Sequence, residues 1–258
     1  MSWETKITHV EPNTIRVRGY PIQELMGNVS FTEAIYLLYM GELPEREKAR
    51  LLDAIFVSSV DHGVTPPSVL ATRTAASTGA PLNAAIAAGV LSINEYHGGA
   101  IQNCMKVIQA ALADLAEGED FPAAAERIVR EYLANKKRMP GFGHRYHTAD
   151  PRTKRLYDLA EETGFAGKGL EMTRAITAAF EREGKKLPVN VDGAIAALLV
   201  DLDIPAELAN AFFILARVPG LVAHAIEEQR TQAPMRRISA EDHIYTGPEL
   251  RSIQERME

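Results

Sequence analysis

Pro140-Gly141-Phe142-Gly143-His144-Arg145-Tyr146-His147-Thr148-Ala149-Asp150-Pro151-Arg152 gathers two glycines, two histidines, two arginines and an aspartate into one short stretch. Glycine permits positive φ and a close backbone approach to a ligand. Pro140 fixes the direction of approach, and Asp150-Pro151 has the form of an N-cap followed by the first residue of a helix. His144 carries the one side chain that ordinarily titrates near neutrality. A solvated turn requires no such combination, whereas a binding or catalytic loop uses all of it.

Outward from this loop the apolar spacing is helical in both directions. Segments 44–58, 67–78, 81–93, 98–116, 121–135, 151–163, 168–183, 192–201, 205–216 and 219–230 carry helix-length patterns. Ser30 with Glu33 forms a capping box for one more helix, which Gly41 ends before Pro44. Gly118, Gly164 and Gly184 supply further stops. Only the first twenty residues alternate as a hairpin does, with Ile7-Thr8-His9-Val10, a turn at Glu11-Pro12-Asn13, and Thr14-Ile15-Arg16-Val17. Two alanine-rich stretches, 71–88 and 110–125, let helices approach closely. The expectation is an all-α body with a short N-terminal β-hairpin.

A chain of 258 residues buries a core without help from a metal or a disulfide. Cys104 is the only cysteine, which excludes an intrachain disulfide and fits the reducing cytoplasm. No apolar run reaches the ~20 residues that span a bilayer, and Met1-Ser2-Trp3-Glu4 lacks a signal-peptide pattern, so a cytoplasmic protein with no membrane partner is expected. The net charge of −6 argues against nucleic acid as a partner. The sequence holds no zinc-spaced Cys/His cluster, no carboxylate-dense loop and no Walker or dinucleotide glycine motif, so neither a metal nor a permanently bound cofactor is expected. An anionic ligand then falls to local basic clusters such as Lys136-Lys137-Arg138.

Two residues outside the loop have the chemistry to join it. His97 precedes Gly98-Gly99 at a helix start, where backbone N–H groups and the helix dipole favour the neutral imidazole; a plain capping role is the alternative. Asp192, in Asn190-Val191-Asp192-Gly193 ahead of an apolar helix, is by position an N-cap. If desolvated instead, it becomes an acid or base near neutral pH.

Gly-Phe-Gly-His-Arg followed by Asp-Pro-Arg resembles the central signature of the citrate synthase superfamily. Arg18-Gly19-Tyr20-Pro21-Ile22 through Glu42-Leu43-Pro44, Tyr96-His97-Gly98-Gly99-Ala100, Asn190-Val191-Asp192-Gly193 and Ala216-Arg217-Val218-Pro219-Gly220 resemble further family motifs in the family's order. The resemblance implies a larger helical domain, 1–100 and 191–258, and a smaller coenzyme A-binding lobe, 101–190. It implies that His97, His144 and Asp192 are catalytic. Arg152, Arg217 and Arg237 would hold substrate carboxylates, together with His62, while Lys136, Lys137, Arg138, Gly141, Phe142 and Gly143 would hold coenzyme A. Arg73 also aligns, with structural ion pairing as an equal reading. His147, His224 and His243 are expected to take no part in the chemistry, His224 fitting a helix packing position.

Arg237 precedes Tyr245-Thr246-Gly247-Pro248, similar to the family's C-terminal Tyr-x-Gly-Pro, and in that family the tail arginine enters the neighbouring subunit's site. A homodimer or homotetramer is thereby implied, with Arg236 as the alternative donor. The short span from Leu43-Pro44 to Asp61-His62, where synthases carry additional helices, makes the layout resemble citryl-CoA lyase and the C-terminal lyase module of ATP-citrate lyase. The expected reaction is cleavage of citryl-CoA to acetyl-CoA and oxaloacetate, with coenzyme A entering only as part of substrate and product. The alternatives are a citrate synthase-type condensing enzyme, a lyase for a related substrate such as citramalyl-CoA, and a non-catalytic CoA-binding regulatory subunit. The sequence holds no ATP-grasp or phosphohistidine module, so a separate citryl-CoA synthetase would supply the substrate.

Overall fold

The computed structural model describes residues 2–116, 118, 120–143 and 150–253. A small antiparallel sheet opens the chain: β1 (Thr8–Glu11), β2 (Thr14–Val17) and β3 (Tyr20–Pro21), with Thr8 opposite Val17 and Val17 opposite Tyr20. The expected hairpin is present, extended by one short strand. Eleven α-helices follow among the described residues: α1 (Ile22–Leu25), α2 (Phe31–Met40), α3 (Arg46–Ser59), α4 (Pro67–Ser77), α5 (Leu82–Leu91), α6 (Ala100–Ala116), α7 (Phe121–Ala134), α8 (Pro151–Thr163), α9 (Lys168–Arg182), α10 (Val191–Asp201) and α11 (Ala209–Thr231).

Local chemistry sets many of the boundaries. The Ser30 hydroxyl accepts from Glu33 N and the Glu33 carboxylate accepts from Ser30 N, completing the capping box of α2, which Gly41 ends in the left-handed region at φ 91°. Asp120 caps α7 and Asp150 caps α8. Asp201, at the end of α10, accepts from the backbone N–H groups of Gly167, Gly169 and Leu170, so one helix's last side chain caps the start of α9.

Residues 205–216 and 219–230 read as two helices, yet α11 runs unbroken through Pro219. Proline removes a backbone donor and disfavours this path, but burial of Phe212, Phe213, Ala216, Leu221 and Ala225 on both sides holds the turns together. Gly220 is essential to that packing, since a Cβ there would lie 2.4 Å from the Val60 carbonyl. The fused helix is long and apolar enough to cross a membrane by composition alone, a length the two-helix reading hid. Its inward face is covered by protein, as in the core helix of a globular fold.

α10 is the axis of the body. Ala194 through Leu199 are all buried, and α6, α8 and α9 pack around them. A helix apolar on every side belongs at the centre of a core. One apolar cluster runs from Tyr36 and Leu51 through Ile108, Met172 and Leu198 to Phe213. The start of α10 therefore sits where several elements meet.

Candidate active site

Asn190, rather than Asp192, is the N-cap of α10: its Oδ1 accepts from Gly193 N at 3.1 Å. Asp192 falls in the first turn and is free of that duty. Its carboxyl is crowded by protein, and burial raises its pKa above the ordinary carboxylate range; Arg152 and Arg217 pull it down and Asp150 pushes it up. The result is an acid that holds its proton to higher pH than a surface aspartate.

Arg217, on α11, is only 3% exposed. Its Nε donates to the Ser59 carbonyl at 3.0 Å and its guanidinium lies 5.1 Å from the Phe213 ring centroid. Nη1 has no hydrogen-bond partner among the described residues. Burial lowers the Arg217 pKa, opposed by Asp61 and Asp192. A buried arginine with an unused donor fork suits a planar carboxylate.

His97 stands in a tight turn in which His97 N donates to Asn94 O (3.0 Å) and Asn94 N to His97 O (2.9 Å), directly before α6. Gly98 closes the turn at φ 101°, where a Cβ would meet the Phe213 ring at 2.8 Å. The imidazole Nε2 lies 2.8 Å from the buried Ser68 hydroxyl of α4, and the ring is edge-on to Phe213 at 5.8 Å. Burial lowers its pKa first, helped by Arg217 and His62. The neutral imidazole expected from the helix dipole is thus favoured here, by burial and by Arg217 and His62.

These influences define one neighbourhood: Asp192 feels Arg152 and Arg217, His97 feels Arg217 and His62, and Arg217 feels Asp61. The structure thereby brings His62, His97, Arg152, Asp192 and Arg217 together from distant parts of the chain. His62 itself is exposed. Arg152 is held bidentately by the buried Asp150 at 3.0 and 2.8 Å and reaches the Ser58 carbonyl at 3.4 Å. His144 lies outside the described residues. On the near side of it the Gly143 carbonyl accepts from Asn190 Nδ2 at 2.8 Å, and on the far side Asp150 acts on Asp192. Both ends of the loop are therefore anchored beside the start of α10.

The residues expected to hold coenzyme A divide in two. Lys136, Lys137 and Arg138 are exposed after α7. Gly141 and Phe142 are buried, the Phe142 ring lying 5.9 Å from that of Phe180 in the core. Gly143, partly buried, donates to the Pro188 carbonyl at 2.8 Å. Arg73 takes the ion-pair role, donating to Glu228 at 2.6 Å. Arg236 binds the same carboxylate through Nε and Nη2 at 2.8 and 2.6 Å, while Arg237 is exposed. His224 packs on α11 and pairs with Asp61 at 3.0 Å. Ser68, Ser59 and Phe213 escape sequence reading, because no local motif surrounds them and only packing brings them to the site. Asn190 was legible within its motif. Among the described residues no His/Cys/Asp/Glu cluster suits a metal ion.

The chain matches known proteins along most of its length. The family model described as citrate synthase, C-terminal domain, matches residues 1–50 and 44–238. Citrate synthase of Haloferax volcanii is 31% identical over 229 residues, covering 85% of this chain and 58% of its own. Citrate synthase 2 of Bacillus subtilis is 30% identical, covering 81% and 54%. The chain thus spans between half and three fifths of these relatives. The structure of citryl-CoA lyase from Hydrogenobacter thermophilus superposes with a TM-score of 0.90 at 42% identity, covering 99% of both chains. By sequence match and by fold, this chain belongs to the citrate synthase family.

Proposed function

We propose that the protein is a citryl-CoA lyase releasing acetyl-CoA and oxaloacetate. The observation that supports this choice over condensation is the closeness of the likeness to a citryl-CoA lyase, 42% identity with a TM-score of 0.90, against 31% identity to the Haloferax synthase. In agreement, a single helix, α3, links α2 to the Asp61-His62 turn, leaving no room for further helices.

In this reading Arg152, Arg217 and Arg237 face the two carboxylates of the citryl group, with His62 beside them. His144 takes the proton of the tertiary hydroxyl as that carbon becomes a ketone. The carbon–carbon bond then breaks, and its electron pair moves onto the thioester carbon framework as an enolate. His97 donates a hydrogen bond to the enolate oxygen: Ser68 donating to Nε2 leaves the ring hydrogen on Nδ1, free for the substrate. Asp192, held protonated by burial, delivers its proton to the enolate carbon. His144 takes up one proton and Asp192 gives up one, so the reaction is proton-neutral, and proton exchange with solvent returns both groups to their starting states. The exposed Lys136, Lys137 and Arg138 suit the phosphates of coenzyme A, carried by the 101–190 lobe.

The reading includes a cytoplasmic homo-oligomer. α5 is apolar almost throughout yet leaves Leu82 and Leu91 exposed, and the extended tail exposes Ile238, Ile244 and Tyr245. The test supplies citryl-CoA with malate dehydrogenase and NADH. NADH consumption supports cleavage; release of free thiol from acetyl-CoA and oxaloacetate, without citryl-CoA cleavage, replaces it with the condensing alternative.

A further inference from the structure

We infer that Gly193 is a positioning residue whose missing side chain sets the distance between Asp192 and the glycine loop; this rests on the lyase reading for its activity arm only. Gly193 is the third residue of α10, immediately after Asp192, and its φ is ordinary for a helix, not positive. Alanine would be the better helix former there. What excludes it is the neighbour. A Cβ on Gly193 would lie 2.2 Å from the Gly141 carbonyl oxygen and 2.7 Å from Val189 Cγ2. The valine could rotate away; the carbonyl is backbone.

That backbone is itself tied down. Gly141 O accepts from Asn190 N at 3.0 Å, Gly143 N donates to Pro188 O at 2.8 Å, and Asn190 Nδ2 donates to Gly143 O at 2.8 Å. On its far side, Gly141 has φ 82°, and a Cβ there would meet Cys104 Sγ and Gly193 Cα, each at 2.7 Å. Three segments, α6 at Cys104, the loop at Gly141 and α10 at Gly193, therefore touch backbone to backbone or nearly so. Asp192 stands one residue from this junction, and the chain runs from Gly143 directly to His144. A methyl group at 193 has to move either the loop or the first turn of α10, by about 1 Å to restore ordinary contact, a misplacement of the size that costs reaction rate about 100-fold.

The experiment is Gly193→Ala, with Asn190→Ala as a second variant that loosens the same junction without adding an atom. For Gly193→Ala, kcat for citryl-CoA cleavage is expected to fall about 100-fold. A merely structural role would lower the melting temperature and leave kcat per folded molecule intact. Crystal structures of parent and variant read the displacement without any turnover: residues 141–143 move relative to Asp192. Parental kcat in Gly193→Ala, or a structure in which only the Val189 side chain has moved, overturns the inference. If Gly193→Ala does not fold, parental kcat in Asn190→Ala overturns it. A parent protein that cleaves no citryl-CoA overturns the lyase reading alone, and the crystallographic comparison still decides the junction.

Discussion

Ser68 Oγ lies 2.8 Å from His97 Nε2, at the meeting of α4 with the turn that precedes α6. Ser68 is fully buried, so this hydrogen bond has no water to replace it, and it engages Nε2 and leaves Nδ1 as the other ring nitrogen. Ser68→Ala should lower kcat about ten-fold, the worth of one buried hydrogen bond, with Ser68→Thr less impaired. Steady-state kinetics on citryl-CoA check this; an unchanged kcat removes Ser68 from the site.

Asp192→Asn should abolish turnover and spare coenzyme A binding, measured by calorimetry. Burial raises the Asp192 pKa, so the folded state binds its proton more tightly than the unfolded chain does. Stability from this group therefore falls as pH rises from the ordinary carboxylate range through the raised value. The variant, which carries no charge, should melt higher than the parent at pH 7. Cleavage needs the protonated acid, so its rate should fall on the alkaline side of that same pKa, while condensation should fall on the acid side.

Arg217 presents an unused guanidinium nitrogen in a buried setting. Arg217→Ala should weaken oxaloacetate binding by at least ten-fold and coenzyme A binding little, since a charged hydrogen bond is worth about 1.5–3 kcal/mol. Arg217→Lys should recover only part, because an ammonium lacks the bidentate fork. Equal losses for both ligands would refute the carboxylate role.

Glu228 is 1% exposed and bridges Arg73 to Arg236, tying the tail to α4 together with the Arg236 N to Ser77 Oγ bond at 3.1 Å. Hydrogen bonding from Arg236 is the main cause that lowers its pKa. The stabilisation is thus present above the ordinary glutamate range and lost as pH falls through the lowered value. Glu228→Ala removes the bond to Arg73 Nε and leaves the buried Arg73 with Glu227 alone, at 3.3 Å from Nη1, and should cost about 1.5–3 kcal/mol, with limited proteolysis newly cutting beyond Thr231.

Arg236 is committed to Glu228 within its own chain, whereas Arg237 is exposed. If the tail serves a neighbouring subunit, mixing inactive Arg237→Ala with inactive Asp192→Ala should restore about a quarter of the parental sites, since half of randomly paired dimers hold one complete site. No recovery on mixing would place the arginine in its own subunit's site or outside the chemistry.

The sequence by itself determined most of the helices, several of their caps and the family. Ser30 with Glu33, Gly41 and Asp150 announce their roles through contacts only a few residues away, and the glycine-histidine loop, His97 and Asp192 stand in recognisable local contexts. Tertiary structure alone decided what depends on burial and on distant neighbours. It carried α11 through Pro219 because apolar faces on both sides outweigh one lost backbone bond. It gave the cap of α10 to Asn190 and left Asp192 without that duty. It lowered the His97 pKa through burial, Arg217 and His62, none of which adjoins His97 in the chain. Solvation and electrostatics act through space over several ångströms, and a linear order of residues does not contain those distances until the chain has packed.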